Sequence, residues 1–187
     1  MVRYFYKEVT ESFLYIALEL CAATLAEVIE KPLEHGALVN LLKPKRALSQ
    51  ITQGLKHLHA LSSEFTSGVW SGTDVDSSLL AVVHRDLKPQ NILVTVTPNG
   101  RLKMLLSDFG LSKRLDGVAQ MSFSQTVNNP GGTVGWRAPE ILRGEVNLDP
   151  GLESLENSLE RKPGDQMTEE KTRLTRAVDI FALGCIA

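Results

Sequence analysis

The sequence predicts an α+β fold, because short apolar strands share the chain with a long amphipathic helix. Residues 13–20 form an apolar run with aromatic and branched side chains, which is typical of a buried strand. Two further apolar runs, 92–94 and 102–106, flank a Pro-Asn-Gly turn and predict a β-hairpin. Five apolar residues recur at the spacing of one helix face, namely Leu48, Ile51, Leu55, Leu58 and Leu61.

Length and charge narrow the class of protein. The 187 residues fit one domain, and a net charge of −2 argues against a dedicated nucleic-acid binder. Cys21 and Cys185 are too far apart in sequence for a disulfide framework or a structural zinc site. No apolar stretch approaches the ~20 residues that span a bilayer, and no signal peptide opens the chain. We therefore expect a soluble, cytoplasmic chain.

Several residues indicate where the helices begin. Thr24 with Glu27 three residues later predicts a capping box and a short helix to about Glu30. Pro44 suits the first turn of the long helix, and residues 177–187 predict the start of a buried helix.

The composition of two stretches predicts that they are insertions. Residues 62–80 are rich in serine, and residues 144–175 have an acidic excess and no aromatic residue. Leucines at 148, 152, 155 and 159 suit either a partner-docking helix or a solvated insertion of marginal helicity.

Four motifs carry the chemical signal. Residues 84–91 read H-R-D-L-K-P-Q-N, and residues 108–110, directly after the hairpin, read D-F-G. Residues 132–140 read G-T-V-G-W-R-A-P-E, and residues 179–184 read D-I-F-A-L-G. In this order they resemble the catalytic loop, the metal-binding segment, the end of the activation segment and the start of a buried helix in eukaryotic serine/threonine protein kinases.

The resemblance implies an incomplete protein-kinase-like fold. Residues 1–187 would be a partial kinase domain, with the end of the small lobe at 1–20. The hinge and part of the mainly helical large lobe would follow at 21–187, with insertions at 62–80 and 144–175.

The resemblance also implies roles in transferring a phosphoryl group from ATP with Mg²⁺. Asp86 would accept the proton of a substrate hydroxyl, which is a weak nucleophile, and Lys88 would neutralise the phosphoryl group. Asn91 and Asp108 would hold the metal. Around the adenine, Leu18 would be the gatekeeper and Leu93 the floor, and the backbone of Glu19 and Cys21 would read the base edge.

Other matched positions would support these groups. Thr133 would hydrogen-bond the catalytic aspartate and lysine, Glu140 would pair with an arginine, and Asp179 would accept bonds from the loop backbone. The remaining structural or regulatory positions are His84, Arg85, Phe109 and Gly110.

The hinge at 16–25 and the tryptophan in G-T-V-G-W-R-A-P-E resemble the inositol-requiring kinase/endoribonucleases, unfolded-protein-response sensors of the endoplasmic reticulum membrane, in a fungal-like branch. The resemblance implies a homodimer that phosphorylates a second copy of itself on the cytosolic side of that membrane. Ser122, Ser124 and Thr126 become candidate phosphorylation sites. RNA would be cut only by a ribonuclease domain absent from these residues.

The chain also departs from the pattern, since no glycine-rich loop or ATP-anchoring lysine precedes the hinge. Two hypotheses stay open. The chain is a piece of an active serine/threonine kinase and is inactive alone, or it is a non-catalytic nucleotide-binding or dimerisation module. Intact Asp86, Lys88, Asn91 and Asp108 favour the first.

Overall fold

The computed structural model describes residues 1–60, 81–115, 132–147 and 172–187. They form two compact units. Unit 1 comprises Met1–Lys56, Lys88–Asp108 and Ile186–Ala187, and unit 2 comprises the stretches between them, His57–Leu87 and Phe109–Cys185. The chain therefore passes from one unit to the other inside the H-R-D-L-K-P-Q-N motif, after Leu87, and again inside D-F-G, after Asp108.

Unit 1 begins with an antiparallel ribbon of β1 (Tyr4–Val9) and β2 (Leu14–Leu18). The predicted strand is present, but its predicted burial is wrong, because Tyr15 and Ile16 are each 54% exposed. A two-stranded ribbon offers each strand one neighbour and no second layer, so aromatic and branched side chains form the strand without being covered.

A three-stranded antiparallel sheet follows in unit 1, in the order β3 (Ala23–Thr24), β5 (Ile92–Val96) and β6 (Leu102–Leu106). Strands β5 and β6 form the predicted hairpin, with Ile92 opposite Leu106. Gly100 takes φ = 67° in the connecting turn, a conformation that glycine adopts without strain.

Two short helices come before the long one. Helix α1 (Leu25–Glu30) has the predicted capping box: Glu27 N donates to Thr24 Oγ1 at 3.1 Å, and Thr24 N donates to Glu27 Oε2 at 2.7 Å. Helix α2 (Gly36–Leu41) has no buried residue and was not predicted. Six residues are too few to show a helical period, and His35 provides no side-chain cap.

Helix α3 (Pro44–His59) confirms the predicted amphipathic helix and ends two residues earlier than predicted. Its buried face includes Ile51, Leu55 and Leu58. Gln50 ties the helix to β6 with both ends of its amide: Nε2 donates to Leu102 O at 3.2 Å, and Oε1 accepts from Met104 N at 3.0 Å.

Unit 2 is built from short elements around one apolar cluster. They are β4 (Val82–Val83), which pairs with β7 (Lys113–Arg114), helix α4 (Pro139–Leu142), the parallel pair β8 (Val146–Asn147) and β9 (Thr172–Arg173), and helix α5 (Ala177–Ile186). The cluster consists of Val83, Ala138, Val146, Leu174 and Val178.

This core corrects the boundaries of the second predicted insertion. Val146 and Leu174 lie inside 144–175, yet they are 8% and 9% exposed and belong to the core of unit 2. The four leucines at 148–159, which suit either a docking helix or a solvated insertion, and the insertion at 62–80 lie outside the described residues.

Helix α5 confirms the predicted helix at 177–187, and Val178, Asp179 and Ala182 are buried. Its other face is open, since Ile180 is 54% exposed. Within the described ranges, no helix has the length and apolar character needed to cross a membrane.

Candidate active site

A buried aspartate fixes the backbone at the start of the H-R-D motif in unit 2. Asp179 is 1% exposed on α5. Its Oδ2 accepts from His84 N at 2.8 Å, and its Oδ1 accepts from Arg85 N at 2.9 Å. These are the backbone contacts that the resemblance implied for Asp179. Hydrogen bonds to an ionised group are about twice as strong as neutral ones, so this carboxylate holds the loop firmly.

A histidine that sequence reasoning missed completes the surroundings of this carboxylate. His59 Nε2 lies 2.8 Å from Asp179 Oδ2, and the histidine is 9% exposed. The available signal was its position four residues after Leu55, which places it on the buried face of α3. A polar residue on that face needs a partner, and Asp179 is that partner.

The backbone of the motif itself is strained. Arg85 has φ = 69°, a left-handed conformation that costs a non-glycine residue about 1–3 kcal/mol. The hydrogen bond from Arg85 N to Asp179 holds it there. The His84 side chain beside it is fully buried, and its ring centroid lies 5.2 Å from that of Phe109. The structure thus brings His84, Arg85 and Phe109 together around the loop.

Asp86 is oriented by Thr133, as the resemblance implied. Asp86 is 7% exposed, and its Oδ1 accepts two hydrogen bonds, from Thr133 N at 2.9 Å and from Thr133 Oγ1 at 3.0 Å. Asp86 N also lies 3.4 Å from His84 Nδ1. Two donors from one residue hold this carboxylate oxygen in place, and a general base has to be positioned within hydrogen-bond reach of the proton it accepts.

Gly132 allows this contact, although no role was predicted for it. It has φ = 72°, and a Cβ built on it would lie 2.6 Å from Arg85 O, closer than real Cβ contacts come. Arg137 then holds the Gly132 carbonyl, with Nη2 at 2.7 Å and Nε at 3.1 Å. The signal in the sequence was a glycine directly before Thr133, at a point where two backbones meet.

In unit 1, the metal-ligand candidates lie at one end of the β5–β6 hairpin. Asn91 directly precedes β5, and Asp108 comes two residues after β6. Ser107 joins the two strand ends, since its N and its Oγ each donate to Asn91 O at 3.0 Å. Asp108 has φ = 58° and an exposed side chain, while Asn91 is 6% exposed.

These residues fit Mg²⁺. The ion takes hard oxygen ligands, and it commonly uses one or two protein groups together with phosphate oxygens and water. An amide oxygen and a carboxylate from adjacent strand ends supply such a pair. Within the described residues no group of three His, Cys, Asp or Glu side chains could hold a metal by itself. Lys88, half-buried, precedes the 3-10 turn that ends at Asn91.

The predicted adenine-side residues also lie in unit 1. Leu93 is half-buried and pairs with Thr24, and Leu18 is 47% exposed. Cys21 Sγ lies 3.7 Å from Glu19 O. In the described part of the chain, the backbone N–H of Cys21 donates no hydrogen bond. Burial raises the pKa of the Cys21 thiol, and the Glu19 carboxylate raises it further.

Some predicted residues are not brought into a site. Glu140 is half-buried, and no ion pair joins it to an arginine within the residues that the structure describes. Gly110 is exposed. Ser122, Ser124 and Thr126 lie outside the described residues.

Comparison with known proteins gives one family. Residues 1–153 match the protein kinase domain. The whole chain is 42% identical to the serine/threonine-protein kinase/endoribonuclease ireA of Aspergillus fumigatus, and it covers 15% of that protein. It is 41% identical to the kinase/endoribonuclease IRE1 of Hypocrea jecorina and 39% identical to the sensor for unfolded proteins in the ER of Schizosaccharomyces pombe, covering 14% and 15% of them.

The chain thus spans about a seventh of the length of these relatives, which are the kinase/endoribonucleases that its motifs resemble. The match covers both the H-R-D and the D-F-G motif. Motifs, geometry and comparisons agree, and the chain belongs to the protein kinase family.

Proposed function

We propose that this chain is part of a serine/threonine kinase that transfers the γ-phosphoryl group of ATP to a serine or threonine hydroxyl. The observation that carries the proposal is the orientation of Asp86. Thr133 fixes one oxygen of its carboxylate through two hydrogen bonds, and Asp179 holds the backbone of the two preceding residues. A carboxylate that is positioned in this way by its neighbours is preorganised for chemistry.

In this proposal Asp86 accepts the proton of the substrate hydroxyl. Its carboxylate is mostly buried and is held through Oδ1 by Thr133, so the group is positioned before transfer begins. Lys88, two residues later in the chain, neutralises charge on the phosphoryl group. The strained backbone at Arg85, between His84 and Asp86, is consistent with a segment shaped for chemistry.

Asn91 and Asp108 hold Mg²⁺ in this proposal, and the ion neutralises the phosphates of ATP. The hydrogen bonds from Ser107 to the Asn91 carbonyl keep the two strand ends together, so the two ligands share one end of the hairpin. Leu18 and Leu93 contact the adenine, and Glu19 O and Cys21 N bond its edge. The lack of another partner for the Cys21 amide within the described residues supports that role.

Nucleotide binding is the first test. The chain is titrated with Mg-ATP in a thermal-shift assay. Bound Mg-ATP should stabilise the folded chain by about 2.7 kcal/mol when its concentration is a hundred times Kd. Asp108→Asn should lose the magnesium-dependent part, whereas Glu30→Gln, an exposed change at the end of α1, should keep it. A clean melt without any shift would contradict nucleotide binding and favour the non-catalytic dimerisation module.

Phosphoryl transfer is tested separately, with Asp86→Asn. If Asp86 is the base, this variant should keep the Mg-ATP shift and lose phosphate incorporation. The assay is done in the longer kinase, because the chain by itself lacks a glycine-rich loop. Equal incorporation by Asp86→Asn and the parent would exclude the proposed role of Asp86.

We further propose that the longer protein resembles its relatives in acting as an unfolded-protein sensor at the endoplasmic reticulum, with this domain on the cytosolic side. A second copy of the kinase would be both the dimer partner and the substrate, and RNA cleavage would belong to a ribonuclease domain outside these residues. Ser122, Ser124 and Thr126 would be the acceptors. Phosphopeptide mapping after incubation with an active kinase of this family should find phosphate there, and unmodified serines would contradict the proposal.

A further inference from the structure

A groove in unit 1, away from the nucleotide-side residues, has no role in the proposed phosphoryl transfer. It lies between the N-terminal half of α3 and the turn of the β5–β6 hairpin. Two adjoining cavities, of about 200 and 410 Å³, share Arg46, Gln50, Arg101 and Leu102 in their walls. We call the combined space the basic groove. Cavities of this combined size can admit several side chains of a partner.

Its charge is one-sided. Residues 35–60 and 92–107 contain no aspartate or glutamate, although the whole chain has a net charge of −2. The walls carry Lys43, Arg46, Arg101 and Lys103. All four are exposed, and within the described part of the chain none of them forms an ion pair. Lys103 alternates with the floor residues along β6, so Lys43, Arg46 and Arg101 are the cations that give the groove a local positive potential in an otherwise slightly acidic chain.

The floor of the basic groove is apolar. Leu102, Met104 and Ala47 line it with 6–7% exposure, and Leu41 stands at its edge, 40% exposed. Gln50 keeps the floor in place through its two hydrogen bonds to the β6 backbone. A site for free phosphate or for a nucleic-acid backbone would need cations but no apolar floor, so the floor favours a peptide.

We propose that the basic groove binds an acidic peptide segment that carries spaced leucine-like side chains. Its carboxylates would pair with Arg46 and Arg101, whose guanidinium groups can engage a carboxylate bidentately. Its apolar side chains would lie on the floor of Leu102 and Met104. Because no nucleotide takes part, this binding is independent of the proposed phosphoryl transfer, and each can fail without the other.

A suitable probe occurs in the sequence of this chain. Residues 148–160 read L-D-P-G-L-E-S-L-E-N-S-L-E and contain four leucines, four acidic residues and no lysine, arginine or histidine. The experiment measures the fluorescence anisotropy of a labelled synthetic peptide of this sequence on addition of the full chain, without ATP. One matched peptide has the four acids replaced by their amides, and a second has the four leucines replaced by serine.

The proposal expects the parent peptide to bind, and both matched peptides to bind at least about tenfold more weakly, which is ~1.4 kcal/mol each. The double charge reversal R46E/R101E should weaken binding by a similar factor, whereas K56E on the same helix, outside the groove, should not. Binding that is unchanged by R46E/R101E, or equal for the serine peptide, would overturn the proposal.

Two further measurements keep the test decisive. Circular dichroism melts show whether R46E/R101E is folded; if it is not, R46Q/R101Q replaces it. A labelled twelve-residue oligothymidylate separates a peptide site from a general polyanion site. If the oligonucleotide binds as tightly as the peptide and competes with it, the groove recognises charge alone and the proposal is wrong.

Discussion

The buried carboxylate of Asp179 allows a prediction whose size follows from its contacts. Asp179→Ala would leave the N–H groups of His84 and Arg85 without their acceptor in a site where Asp179 is 1% exposed. Each orphaned donor costs about 1–3 kcal/mol, so we expect a loss of about 2–6 kcal/mol in the free energy of unfolding of unit 2. Asp179→Asn keeps the shape but presents only one acceptor oxygen, so we expect about 1–3 kcal/mol for the donor that faces its NH₂.

His59→Gln supplies the matched comparison, because it removes a side-chain partner of Asp179 but leaves both backbone contacts intact. We therefore expect destabilisation in the order Asp179→Ala, Asp179→Asn, His59→Gln. Urea unfolding is followed by the fluorescence of Trp136, which lines a small cavity together with Asp179 and Arg85. Trp70 is first replaced by Phe, so that Trp136 is the only tryptophan. If Asp179→Ala cost less than about 1 kcal/mol, the carboxylate would not be what holds the loop.

Three further predictions concern local geometry and ionisation. Gly132→Ala should destabilise unit 2 by about 2–4 kcal/mol in urea unfolding, from left-handed strain and its backbone clash, whereas Gly135→Ala, with open space around it, should not. Hydrogen bonds from Thr24 lower the pKa of Glu27, so the helix stability that they provide is present above the unfolded pKa and is lost as pH falls through the folded one. A carboxyl NMR titration should show this low pKa, and Thr24→Ala should raise it only in part, because the backbone donor remains. Because the pKa of the Cys21 thiol is raised, we expect its alkylation at pH about 8 to be slower than that of free cysteine. Mass spectrometry measures the two rates, and equal rates would contradict the effect of burial.

Local signals in the sequence predicted the parts of the fold that local interactions build. The capping box of Thr24 and Glu27 starts α1, and the turn at Gly100 joins β5 to β6, because each depends on residues only a few positions apart. Burial of β2 was predicted wrongly, since the composition of a strand indicates its conformation but not what covers it.

The residues of the candidate site likewise fall into those that a local motif indicates and those whose role depends on distant contacts. The motifs identified Asp86, Thr133 and Asp179, and the structure places hydrogen bonds at all three. His59 and Gly132 were missed because their roles depend on contacts with residues 120 and 47 positions away, which no local pattern contains. A single sequence indicates such residues only through small anomalies, such as a histidine on an apolar helix face.

The parallel pairing of β8 with β9 has a consequence for how this chain tolerates change. Val146 lies opposite Thr172, so residues 148–171 connect two paired strands, and Val146 and Leu174 at either side of the connection belong to the core of unit 2. Parallel strands cannot be joined by a tight turn and need a connection of about a dozen residues or more, which sets a lower limit on shortening. Above that limit, doubling the length of a flexible connection adds only about 0.6 kcal/mol of closure entropy. Evolution, or an engineer adding a tag, can therefore lengthen the chain here at little cost to the fold.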